Sequence, residues 1–161
     1  MKTHSYALTA GKKWLKTFYV LLFTVLAFTG FGQMPIFKRY YISDIPGMGW
    51  SADFYVTHYI HYIGAILLLG LLAYCILDYF FTGRREFRLT ASAYVRILLL
   101  GGIVITGIFR VLKNLPDPDV VFSPGFTLFI DIAHLGFMMF YLLAALFFRI
   151  IKSGWTKGID D

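Results

Sequence analysis

Thr57-His58-Tyr59-Ile60-His61-Tyr62-Ile63-Gly64 stands near the start of an apolar segment that runs from about Asp53 to Phe81. Two imidazoles thus enter a stretch longer than the roughly 20 residues a helix needs to cross the hydrocarbon core of a bilayer. A third histidine lies in Ala133-His134-Leu135-Gly136, at a similar point of the last apolar segment, about 125–151. The chain has four histidines, and the other, His4, is in the polar N-terminal tail. An ionisable side chain inside a membrane segment is expensive and needs a reason.

Working outward, two more apolar segments, about 14–32 and 93–112, complete the set. The chain is 58% hydrophobic and 15% charged, where a soluble domain carries about a quarter of its residues as charges. These features predict an all-α integral membrane protein, with residues 1–161 forming a single membrane domain built as a four-transmembrane-helix bundle. The formal charge of +6 does not imply nucleic acid. The basic residues cluster beside the apolar segments, as topology signals and lipid headgroup contacts do. Cys75 is the one cysteine, which excludes an intrachain disulfide and a cysteine-based iron–sulfur or zinc site. It reads as packing. Lys12, Lys13 and Lys16 before the first segment also suit a signal peptide, but the weak cleavage site and the three later spans favour a retained first helix.

Orientation follows from the basic residues. The N-terminal tail, the turn holding Arg84, Arg85 and Arg88, and the C-terminal tail with Lys152 and Lys157 carry most of the Lys and Arg. The other two links carry fewer, together with Asp44, Asp53, Asp117 and Asp119. The positive-inside rule then places both termini in the cytoplasm, an N-in/C-in topology. Trp14 and Trp155 would flank the inner surface, and Tyr40, Tyr41 and Trp50 the outer. A faint internal echo is also present. Thr29-Gly30 and Thr106-Gly107 stand in the first and third segments, His61 with Gly64 and His134 with Gly136 in the second and fourth.

The second and fourth helices run in the same direction. With a rise of ~1.5 Å per residue, His61 and His134 both lie roughly 12–14 Å below their helix starts. Equal depth on parallel helices suits the two axial ligands of a haem b, and bis-imidazole ligation favours electron transfer over O2 chemistry. Interhelical hydrogen bonding is the plainer alternative. His58, one turn nearer the outer surface, is the alternative to His61 as ligand; it would otherwise meet a haem propionate or a quinone. Arg110 is the expected partner of Asp131, or else of a propionate. Asp131 itself is a candidate proton relay or quinone contact. Asp78 reads as a structural partner of Arg84 or Arg96. The glycines on all four helices would make room either for a macrocycle or for close helix packing. No phosphate loop, zinc motif or Ser/His/Asp arrangement is present.

These residues resemble the cytochrome b membrane subunits of formate dehydrogenases and of the related nickel–iron hydrogenases and thiosulfate reductases. His61-Tyr62-Ile63-Gly64-Ala65 is similar to that family's His-x-x-Gly-Ala segment, and Ala133-His134 to its first histidine on the fourth helix. The resemblance implies that these two ligate the haem nearer the outer face. It departs at the inner haem. Lys13 and Lys16 stand where the family's first helix has Arg and His, and Phe148 falls where its second histidine on the fourth helix would be. The resemblance therefore implies one haem. It also implies a bacterial inner-membrane subunit that passes electrons between an outer-face iron–sulfur or multihaem cytochrome partner, docked on loop 33–52, and menaquinone or ubiquinone. The chain would not be an enzyme by itself. The rival readings are a haem-free anchor that binds quinone, and a small proton-conducting membrane protein using His58, His61 and Asp131.

Overall fold

The computed structural model describes residues 13–34, 41–115 and 121–159. His4, Pro35, Lys38, Arg39, Tyr40, Pro116, Asp117 and Asp119 lie outside them. Four helices carry the described chain: α1 (Lys13–Gly32), α2 (Phe54–Phe81), α3 (Ala91–Leu112) and α4 (Pro124–Ile150). All four are long and apolar enough to cross a membrane. The boundaries fall within two residues of those expected.

Helix starts follow from local chemistry. The Asp53 carboxylate accepts the Tyr55 and Val56 amides, Thr90 accepts the Ala93 amide, and Ser123 accepts the Phe126 amide ahead of Pro124. Each cap satisfies amides that have no partner inside the helix, and proline in the first turn gives up an amide that would have none. The outward faces are apolar along their length. Leu21, Ile66, Leu98, Phe129 and Leu143 are all more than half exposed. In water so much exposed apolar surface would be a liability; in hydrocarbon it costs nothing.

The described residues divide into two compact units, separated at Arg84–Arg85. In the first, α1 packs along α2, and in the second α3 packs along α4. The two hairpins solve their packing with opposite parts. In the first, a Cβ on Gly64 of α2 would come within 2.9 Å of Leu26 of α1, so the leucine fills the space the glycine leaves. In the second, Gly102 of α3 is the small residue, and the ring of Phe137 on α4 lies where its Cβ would be, at 2.6 Å. Without a hydrophobic drive between helices in lipid, such close seating is what holds a hairpin together.

The mouth of the first hairpin is closed by the segment before α2, which makes two 3-10 turns, Ile42–Asp44 and Gly49–Ala52. Trp50 packs on Phe28 with ring centroids 5.8 Å apart, and Ser51 is fully buried. In the second hairpin, the end where α3 starts and α4 stops differs from the expected basic turn and plain tail. Strands β1 (Phe87–Leu89) and β2 (Thr156–Gly158) pair antiparallel there, with Arg88 opposite Lys157. Beside them Thr90 Oγ1 and Ser92 Oγ donate to the Gly154 carbonyl, at 2.7 and 2.9 Å. The buried Arg96 donates to the Ser153 carbonyl at 2.9 Å and lies over the rings of Phe148 and Trp155. Trp155 is thus a packing partner of Arg96. Asp78 forms no ion pair with Arg84.

Candidate functional site

In the first hairpin, Thr29 of α1 is fully buried against α2. Its Oγ1 lies 2.8 Å from the Val25 carbonyl and 3.0 Å from His61 Nδ1. A hydroxyl has one proton, and a carbonyl can only accept it. With that proton on the Val25 bond the hydroxyl oxygen accepts from His61 Nδ1–H and the lone pair is on Nε2; with the proton turned to the ring the roles reverse. The ring is seated on Gly30, where a Cβ would come within 3.3 Å of His61 Cε1. One turn outward, Gln33 Nε2 donates to the Thr29 carbonyl at 3.2 Å. This turns Gln33 Oε1 to accept from His58 Nδ1–H at 3.1 Å. His58 stacks on Phe54 with centroids 5.2 Å apart and lies 4.2 Å from the Tyr62 ring.

The second hairpin repeats this plan. Thr106 Oγ1 donates to the Gly102 carbonyl at 2.7 Å and lies 2.9 Å from His134 Nδ1, with the Ile103 carbonyl 3.2 Å from the same hydroxyl. A Cβ on Gly107 would lie 3.4 Å from His134 Cε1. Arg110 stands four residues after Thr106, as Gln33 does after Thr29, and Asp131 three before His134, as His58 does before His61. Here too the outer pair is joined: Arg110 Nε lies 3.2 Å from Asp131 Oδ1. Lys113 closes on the same carboxylate, Nζ to Oδ2 at 2.7 Å. Each hairpin is therefore a two-tier ladder, with Thr–His within and a polar pair one turn outside. Some buried positions keep the same register: Leu15 with Ser92, Phe23 with Leu100, Thr57 with Ile130, and Leu68 with Tyr141.

The ladder separates the two histidines of α2. A bond at Nδ1 alone does not, because both rings make one. By register His61 is the counterpart of His134, and His58 the counterpart of Asp131. The expected partnership of Arg110 with Asp131 is present, with Lys113 as an added cation. Lys113, Thr29, Thr106 and Gln33 were missed as site residues, although Thr29-Gly30 with Gln33 and Thr106-Gly107 with Arg110 repeat the same short steps. The glycines divide by role. Gly30 and Gly107 carry imidazoles, Gly64 and Gly102 serve packing, and a Cβ on Gly70, Gly101 or Gly136 would meet nothing within 4 Å.

Among the described residues, no group of three or more His, Cys, Asp or Glu is placed to hold a bare metal ion. A porphyrin brings its own equatorial nitrogens and asks the protein only for axial donors. Imidazoles bonded at Nδ1, with Nε2 as the second ring nitrogen, fit that need. No protein-family model, curated protein or solved structure matches this chain.

Proposed function

We propose that the chain is a haem-b-binding, multi-pass membrane subunit of a larger redox complex, similar to the cytochrome b subunits of formate dehydrogenases and their relatives. It passes electrons between an iron–sulfur or multihaem cytochrome partner at the outer face and the quinone pool, menaquinone or ubiquinone. The setting is the bacterial inner membrane, with four helices bundled and both termini in the cytoplasm. One observation carries the reading: the same Thr–His pair, joined at Nδ1 and on the same glycine seat, is built twice. Interhelical glue needs no such duplication, whereas two axial positions do.

His61 and His134 would hold the haem through Nε2, and bound haem would supply one-electron ferric–ferrous exchange. The outer tier, His58 with Gln33 and Arg110 with Lys113, offers polar and cationic groups to its propionates. Arg110 and Lys113 exceed Asp131 by one positive charge, which favours an anionic group there. The described part of loop 33–52 exposes Tyr41, Ile45 and Trp50, and this face would meet the partner subunit. The experiment is haem content of the purified His61→Ala, His134→Ala and His58→Ala proteins. Loss in the first two with retention in the third is expected. Full haem in His134→Ala sinks the assignment.

A further inference from the structure

The two threonines do more than satisfy their own hydroxyls. Thr24 makes the same bond back along its helix, to the Val20 carbonyl at 2.8 Å, on an exposed face. A threonine in a membrane helix is thus already satisfied by its own backbone. At Thr29 and Thr106 a histidine contact is added to that bond, at 3.0 and 2.9 Å. In both places the next residue is the glycine that leaves room for the ring.

What the added contact does follows from donor–acceptor chemistry. Tying the hydroxyl proton to a carbonyl polarises the oxygen, which becomes a better acceptor. Accepting Nδ1–H then settles which nitrogen can bind a metal and raises the basicity of that nitrogen. A hydroxyl does this more gently than a carboxylate would, because its acceptance is not charge-assisted. Since the arrangement is duplicated, each imidazole meets a threonine hydroxyl at Nδ1 in the same way.

We propose that Thr29 and Thr106 are positioning residues of the haem site. They hold His61 and His134 in the Nδ1–H tautomer and aim the rings across Gly30 and Gly107. The chain is in this sense a tandem repeat of one half-site, each hairpin bringing a ligand together with its orienting hydroxyl. The inference rests on the haem reading for its redox consequence and on the hydrogen-bond geometry for its tautomer.

Two measurements on the full-length protein test these parts separately. In haem-free protein labelled with 15N-histidine, the nitrogen shifts of His61 and His134 should report Nδ1–H and bare Nε2. Protonated Nε2 on either residue overturns the proposal, whether or not haem binds. In the haem-loaded protein, Thr29→Val and Thr106→Val keep the side-chain volume and remove the acceptor. Each should weaken haem binding ~10- to 100-fold, raise the midpoint potential and alter the low-spin ferric EPR signal. Thr29→Ser and Thr106→Ser should restore all three. Haem affinity, potential and EPR signal unchanged in folded valine variants overturn the proposal while leaving the ligand assignment standing. A chain that takes up no haem overturns the proposal's redox part together with the haem reading, and leaves the tautomer to the nitrogen shifts.

Discussion

Single side chains decide how an imidazole is presented. Gly30 supports His61 so closely that a methyl group there would come within 3.3 Å of Cε1, and the ring would have to yield by a few tenths of an ångström. Gly30→Ala should therefore lower haem retention several-fold, while Gly70→Ala, which meets nothing within 4 Å, should leave it unchanged; haem titration of both variants checks this. The Asp131 carboxylate is held by two cations at 38% side-chain exposure. Asp131→Asn leaves Arg110 and Lys113 facing each other, and partial exposure discounts the loss expected of a fully buried pair. Chemical unfolding in detergent should show a destabilisation of about 1–2 kcal/mol. The histidines were legible in the sequence because imidazoles are rare and costly in apolar segments. Their threonine partners were not, since Thr-Gly is a common membrane dipeptide and only helix rotation decides which hydroxyl meets which ring. Lys113 was missed for a related reason: at the end of a span it reads as a headgroup anchor until its reach to the next helix is seen.

Each helix pair stands on one close approach, and the two approaches are reversed. Gly102 faces the Phe137 ring at 2.6 to 2.8 Å from a built Cβ. Gly102→Ala should accordingly cost about 1–3 kcal/mol by overpacking, with Phe137→Leu in the same chain recovering most of it; thermal unfolding of the single and double variants measures both. Gly64→Ala should be milder, because its nearest contact is the flexible end of Leu26 at 2.9 Å. The helices themselves were legible, with Asp53, Thr90 and Ser123 marking starts and apolar runs of spanning length setting extents. The β1/β2 pair was not. Three-residue strands carrying Arg88 and Lys157 offer no alternation to read, and the link between them is made by Thr90 and Ser92 reaching the Gly154 carbonyl.

For the whole molecule, four apolar helices and the distribution of Lys and Arg lead to testable topology. With Cys75 replaced by Ala, a cysteine at Tyr41 should react with an impermeant maleimide from outside intact cells, and one at Lys157 only after permeabilisation. The reverse pattern contradicts the orientation. The duplicated ladder was faintly legible as an echo of Thr-Gly and His in alternating segments. Its meaning needed the hydrogen bonds: opposite charge was enough to pair Arg110 with Asp131, but nothing in the sequence pairs Gln33 with His58 across a helical hairpin. The central claim is that His61 and His134 together hold one haem. The measurement that meets it most directly is a reduced-minus-oxidised spectrum of the purified chain with haem counted as its pyridine complex. A sharp reduced alpha band with one low-spin haem per chain is the predicted result. A colourless protein, or a haem that survives loss of both histidines, contradicts it.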